Sequence, residues 1–308
     1  MPAEPLDSLG WRGPLGYDSP EVVALREDLA DSGIPELASL TIDPAEAGYA
    51  QQAAQRFAED GFVVLKNCLD QRRLERLRAA TERAVRDILR IDPHRYGNSA
   101  HDHRYSFGRA SRSGYEHDED WAVMVDAPPL SAVLTEIWGP DYLCNGLGGD
   151  FSLPGAVGKQ GLHSDINVPF KYEVIDTPEA RALRPRHYGA NNSNLQHGRG
   201  RLFAKSVPYD APEEPGVEYL PKHDTALDRH SRCGFVNVDF VTEDWATDMG
   251  ATQLIRGSHL WPLSELPKLE DEDRATRHST LAGATAGTAV IRDLRLWYAA
   301  MPLSSMLD

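Results

Sequence analysis

A chain of 308 residues, 41% of them apolar and 26% charged, can bury a large core without disulfides or a structural metal. Its net charge of −15 argues against a nucleic acid or an anionic membrane as partner, because both require clustered Lys and Arg. The opening residues lack the basic region and apolar run of a signal peptide, and no stretch on the order of 18 apolar residues occurs.

Cys68, Cys144 and Cys233 are odd in number and far apart, so they provide neither a disulfide framework nor a CxxC motif. They read as buried apolar fillers in a reducing cytoplasm, in a protein whose partner is a small molecule.

Residues 1–42, rich in Pro, Gly and acid with a short helical pattern around Glu21–Asp31, read as an irregular leader. Asp43-Pro44-Ala45-Glu46 has the pattern of a helix start, with an Asp cap, Pro at the first position and Glu at the third. This helix ends at Gly61 and leads into a short apolar strand, Phe62-Val63-Val64-Leu65. Asp70 caps a longer helix, with Leu74, Leu77, Ala84, Val85 and Ile88 on one face. A third helix is predicted over Pro129–Trp138, stopped by Gly139-Pro140.

Beyond residue 140 short apolar segments alternate with Gly, Asn and Asp turns, the pattern of a β sandwich or barrel. Strands are predicted near Tyr142–Leu153, Gly161–Asp165, Phe235–Val241, Thr252–Ile255 and Thr288–Ile291. The long polar connection at about 171–232 reads as a functional lid or an insertion with structure of its own. Its aromatics, Phe170, Tyr172 and Tyr188, fit substrate contacts or packing on the barrel, packing being the plainer reading.

Gly161-Leu162-His163-Ser164-Asp165 carries the chemistry. On a strand, residues two apart share a face, so His163 and Asp165 present an imidazole and a carboxylate together. Those are two of the three ligands of a 2-His-1-carboxylate iron site. A surface turn explains an isolated HxD equally well.

The surrounding blocks resemble the phytanoyl-CoA dioxygenase family. They are Asp60-Gly61-Phe62-Val63-Val64, the HxD, Gly250-Ala251 through Ile255-Arg256-Gly257-Ser258-His259, and Gly287 through Asp293-Leu294-Arg295-Leu296-Trp297. They occur in the family's order and span roughly residues 45 to 298. The resemblance implies a mainly β fold with flanking helices, built on a double-stranded β-helix (a jelly-roll, cupin-like core) over residues 43–308. It also implies Fe(II) at the HxD, 2-oxoglutarate as co-substrate and hydroxylation of a small metabolite.

The pattern departs from the family near the end. Tyr298 stands where the resemblance places the second histidine ligand. The family's 2-oxoglutarate arginine falls beyond Asp308, which leaves Arg292 and Arg295 as stand-ins and suggests a core lacking its last strands. His259 is a rival third ligand, with a structural or co-substrate-side histidine as the plainer reading. Tyr298 as a phenolate ligand competes with Tyr298 as a packed aromatic.

Three readings stay open: an active oxygenase with an altered triad, an impaired homologue that binds without turnover, and a redox-silent metal-binding barrel using His163, Asp165 and His259. The remaining polar clusters read as solvated: His101-Asp102-His103, the acidic run Glu270–Asp273, and His187, His197, His223, His230 and His278.

Overall fold

The computed structural model describes residues 37–97, 103–108, 114–144, 146–153, 163–165, 170–174, 204–208, 214–217, 219–220, 236–245, 251–260, 279–281 and 284–300, with single residues 20, 156 and 212. In chain order its elements are β1 (Thr41–Ile42), α1 (Tyr49–Asp60), β2 (Phe62–Leu65), α2 (Gln71–Ile91), β3 (Arg104–Phe107), α3 (Pro128–Trp138) and β4 (Gly149–Ser152). They continue with β5 (Phe170–Val174), β6 (Ala204–Pro208), β7 (Tyr219–Leu220), β8 (Val236–Phe240), β9 (Thr252–Ile255), β10 (Ser279–Leu281), β11 (Ala289–Asp293) and β12 (Tyr298–Ala300). The fold is sheet-rich with few helices, and no helix among the described residues is long and apolar enough to cross a membrane.

Two sheets frame the centre. One has the order β1-β2-β11-β8 and the other β10-β9-β12. β11 runs antiparallel to both of its neighbours, with Ile291 opposite Val63 and Val238. Strand alternation then sorts the side chains into two layers. Val63, Leu65, Ala289 and Ile291 face outward and form one core with Phe57, Leu74, Leu77, Leu130, Val133 and Leu134 of the three helices. Phe62, Val64 and Val290 face inward and meet Leu254 of β9 and Tyr298 of β12. β2 and β11 are buried on both faces, which is why β2 reads as an unbroken apolar run and β11 opens with one, Ala289-Val290-Ile291.

The helix ends follow local chemistry. Asp70 caps α2 by accepting from the Arg73 amide at 2.8 Å. Gly61 ends α1 in the left-handed conformation, φ 81°. Two helical expectations shift. Asp43 accepts from the Ala45 amide at 2.9 Å and makes a turn, so α1 begins only at Tyr49, behind a left-handed Gly48. On α2, Leu89 is buried, and Ile88, expected in the core, is partly buried against the same cluster.

Residues 37–42, read as the end of the leader, supply β1 and the fully buried Leu37. Where a polar loop was expected, β3 pairs with β4, Tyr105 opposite Phe151, and the two rings stack at 4.6 Å. β5, β6 and β7 form a separate sheet within the long connection, in the order β6-β5-β7. β12 pairs with β9, Tyr298 opposite Leu254.

Cys68 is buried, and burial pushes its thiol up to about 12. Cys144 is exposed, contrary to the filler reading, because it follows α3 in an open loop. Cys233, the acidic run, the helical pattern at 21–31, His187, His197, His223, His230, His278 and the residues after 300 lie outside the described residues.

Candidate metal and co-substrate site

The inner face of the four-stranded sheet turns polar at one end. β8 reads Val236-Asn237-Val238-Asp239-Phe240, and its three apolar residues pack on the helical side. Alternation sends Asn237 and Asp239 to the other side. Arg292 of β11 lies opposite Asn237 and shares the inner face with Val290. Here the strand interiors stop being apolar, and the residues expected to hold a metal come into contact.

His163 makes an antiparallel bridge with Tyr298: its amide donates to the Tyr298 carbonyl at 3.0 Å, and the Tyr298 amide donates back at 2.8 Å. Paired residues of such a bridge present their side chains to one face. The two rings accordingly lie 4.4 Å apart, centroid to centroid. The Tyr298 hydroxyl donates to Asp165 Oδ1 at 2.9 Å. Tyr298 thus touches both His163 and Asp165, which puts the two on a common side.

The other oxygen of Asp165 is also engaged. Arg292 Nη1 donates to Asp165 Oδ2 at 2.8 Å. The same guanidinium lies 3.8 Å from the centre of the Tyr298 ring and directs Nε toward Asp239 Oδ2 at 3.6 Å. Asn237 Nδ2 donates to Asp239 Oδ1 at 2.6 Å. Arg292 is almost fully buried, whereas about a third of the side-chain surface remains open on Asp165 (30%) and on Asp239 (35%). The two carboxylates therefore line a recess whose floor is the guanidinium.

Charge follows this placement. Burial raises the Asp239 pKa above the ordinary carboxylate value, and the neighbouring Asp150 and Asp165 add to this while Arg292 opposes it. Burial pushes the Tyr298 phenol up to about 12, reinforced by Asp165 and opposed by Arg292. Tyr298 accordingly donates to Asp165 as a neutral phenol. Burial would lower the Arg292 pKa, but Asp239 and Asp165 outweigh it and hold the guanidinium charged.

The other two candidates belong to a different cluster. His259 lies on a 3-10 turn after β9 and is buried, its Nε2 3.1 Å from the Ala58 carbonyl. That carbonyl can only accept, so Nε2 carries the proton. Nδ1 has no hydrogen-bond partner and faces Gly61, where an added Cβ would lie 2.4 Å from it. Burial lowers the His259 pKa, with Asp293 opposing.

Arg295 grips Asp293, its Nε 2.9 and 3.1 Å from the two carboxylate oxygens. The same cluster ties the remaining blocks together. Arg256 Nε donates to Asp60 at 2.6 Å, the Asp293 amide donates to the Gly61 carbonyl at 2.8 Å, and the Trp297 amide donates to Ser258 Oγ at 2.9 Å. Asp60-Gly61, Gly257-Ser258-His259 and Asp293–Trp297 therefore form a structural knot.

Sequence reasoning missed Asp239 and Asn237. The signal was available as the two polar residues alternating within an otherwise apolar β8.

A facial triad needs three donors and open coordination positions. Here both oxygens of Asp165 accept from protein donors, and a neutral phenol stands in the third ligand's place. Among the described residues no group of three or more His, Cys, Asp or Glu could hold a metal. The donor set, as arranged, does not fit the iron that the resemblance implies.

No curated protein matches the sequence. Among solved structures, the non-heme alpha ketoglutarate dependent carbocyclase SnoK from nogalamycin biosynthesis is 12% identical, with 83% of this chain and 78% of that one covered and a TM-score of 0.49. AviO1 from Streptomyces viridochromogenes Tue57 is 15% identical, with 84% and 90% covered and a TM-score of 0.44. HygX from Streptomyces hygroscopicus, solved with nickel, 2-oxoglutarate and hygromycin B bound, is 15% identical, with 82% and 81% covered and a TM-score of 0.44. Likeness at this level defines neither a substrate nor a chemistry for this chain. The family described as Phytanoyl-CoA dioxygenase (PhyH) matches residues 57–306, in agreement with the ordered blocks, and the chain belongs to that family.

Proposed function

We propose that this protein is a family member that binds a small organic molecule between its two facing sheets and does not oxidise it. In this reading the core is the family's double-stranded β-helix, and the segment at 171–232 covers the ligand. The setting is cytoplasmic, in keeping with cysteines that form no CxxC pair. One observation carries the reading: the Tyr298 hydroxyl, at the place of the second histidine, donates to Asp165 instead of leaving it for a metal. An iron held by one histidine and one carboxylate has lost a direct ligand. That loss outweighs the roughly 10–100-fold weakening typical of changes one shell further out.

A second reading rests on the family match and on the common side shared by His163 and Asp165. It makes the chain an Fe(II)/2-oxoglutarate oxygenase that hydroxylates a small metabolite, with Arg292 or Arg295 on the co-substrate. Both arginines already grip carboxylates, which weighs against it. The third reading, a barrel holding a redox-silent ion through His163, Asp165 and His259, is weakened by the place of His259 in the knot.

The test is anaerobic addition of Fe(II) and 2-oxoglutarate to the unmodified protein. The expected outcome is no charge-transfer absorption and, on admission of air, no succinate. Stoichiometric charge-transfer absorption or sustained succinate formation would establish the second reading in its place.

A further inference from the structure

We infer that the Arg292 guanidinium is the resident cation of this site and takes the electrostatic place of a divalent metal, so that two residues, not Tyr298 alone, keep a metal out. The inference rests on the non-oxidising reading above and deepens it.

Asp165 has two oxygens and two protein donors: Tyr298 on Oδ1 at 2.9 Å and Arg292 on Oδ2 at 2.8 Å. The two donors also hold each other, the guanidinium carbon lying 3.8 Å from the centre of the Tyr298 ring. The three side chains close a ring, each touching the other two. Asp165 lies 127 and 133 positions from Arg292 and Tyr298, so the ring is closed by the fold and not by local sequence alone.

A guanidinium so nearly excluded from water needs anionic partners. It has Asp165 within hydrogen-bond distance and Asp239 at 3.6 Å, two carboxylates that would otherwise confront each other across the recess. A metal ion in the same space would neutralise the same pair. Arg292 therefore meets a charge requirement of the fold that in a metal-binding relative an ion could meet.

A divalent ion approaching Asp165 must displace two hydrogen bonds and come up against a fixed positive charge. Restoring histidine at position 298 supplies the missing nitrogen donor but leaves the guanidinium on Asp165. Tyr298→His alone should stay closed to metal. Tyr298→His combined with Arg292→Gln removes the competing charge, frees both oxygens and should open the site.

Co(II) is the probe, titrated anaerobically into the full chain and read by its visible absorption and by calorimetry. The unmodified protein and Tyr298→His are expected to show no saturable site. The double variant should saturate at Co(II) concentrations on the order of 100-fold below those that leave Tyr298→His unsaturated, as expected from removing one unit charge at contact distance. Tyr298→His with Arg292→Lys keeps the charge and should resemble Tyr298→His.

Tight Co(II) binding by Tyr298→His alone overturns the role of Arg292 while leaving the non-oxidising reading of the unmodified chain intact. An Fe(II)/2-oxoglutarate complex in the unmodified chain overturns that reading instead. Should the double variant not fold, Tyr298→His decides the question by itself, because it leaves the Asp165–Arg292 pair in place. Co(II) binding by this variant refutes the inference, and no binding with unchanged circular dichroism upholds it.

Discussion

Arg292 and Asp293 are consecutive on β11, yet they belong to two charged clusters of opposite character. Asp293 enters a closed knot in which its partner Arg295 is two residues away and its backbone holds Gly61. Arg292 enters a recess in which its partner Asp165 lies 127 positions away and part of each carboxylate is open. In Asp293, burial alone would raise the pKa, but the Arg295 charge and hydrogen bonds together with His259 outweigh it and hold the carboxyl below its ordinary value. In Asp239 burial prevails and the pKa is raised. The knot uses charge to hold the fold together, whereas the recess keeps charge at some cost.

The comparison is broken most easily at the knot. Asp293→Ala leaves the Arg295 guanidinium without its carboxylate and is expected to cost about 3–5 kcal/mol, the usual effect of removing one partner from a buried ion pair. Urea unfolding measures this. A loss below 1 kcal/mol would place Asp293 in the same class as the recess carboxylates.

Gly61→Ala comes next. It puts a side chain on a left-handed residue and its Cβ 2.4 Å from His259 Nδ1 and 2.7 Å from a Leu296 methyl carbon. The backbone and overpacking terms together suggest a loss of about 2–4 kcal/mol in the same assay. Pairing it with His259→Ala should recover part of that loss.

In the recess the effects shrink. Tyr298→Phe removes one hydrogen bond to a carboxylate that water can still reach, and about 1 kcal/mol is expected. The melting temperature should fall only slightly, and the ring should keep its stacking on Arg292.

The smallest effect is a slope. The His259 pKa is lowered in the folded chain from an ordinary value of 6.5, so between the two values the unfolded chain binds a proton that the folded chain refuses. The contribution of His259 is fully present above about pH 6.5 and is lost as the pH falls toward the folded-state pKa. Melting temperatures measured from pH 7.5 to 5 should decline, and His259→Gln should flatten the decline. An unchanged slope would remove His259 from the account.

Much of the frame was legible because it depends on local rules. Asp70, Gly61 and Gly139 marked helix ends through capping and left-handed geometry. β2 stood out as an apolar run, and β9 and β11 as short β-branched and apolar segments. The start of α1 was misread because an Asp side chain satisfies a turn amide as readily as a helix amide. β3 was missed although Arg104 and Ser106 alternate with Tyr105 and Phe107 as in a strand, because the alternation lasts only four residues among polar neighbours.

The site was legible in part. His163, Asp165 and Tyr298 do meet, as the ordered blocks suggested. What Arg292 does there was not legible. Its direction depends on which face of β11 turns inward, and its partners lie on segments whose pairing no local pattern specifies. His259 stood as a rival ligand beside the plainer structural reading, because a histidine is chemically ambiguous until its neighbours are known. In the fold its neighbours are the Ala58 carbonyl and Gly61.

A positive charge that belongs to the polypeptide cannot be stripped by a chelator, lost to oxidation or limited by nutrient supply. With Arg292 seated on Asp165, the charge of the recess should be the same in iron-starved and iron-replete cells, and in the absence of oxygen.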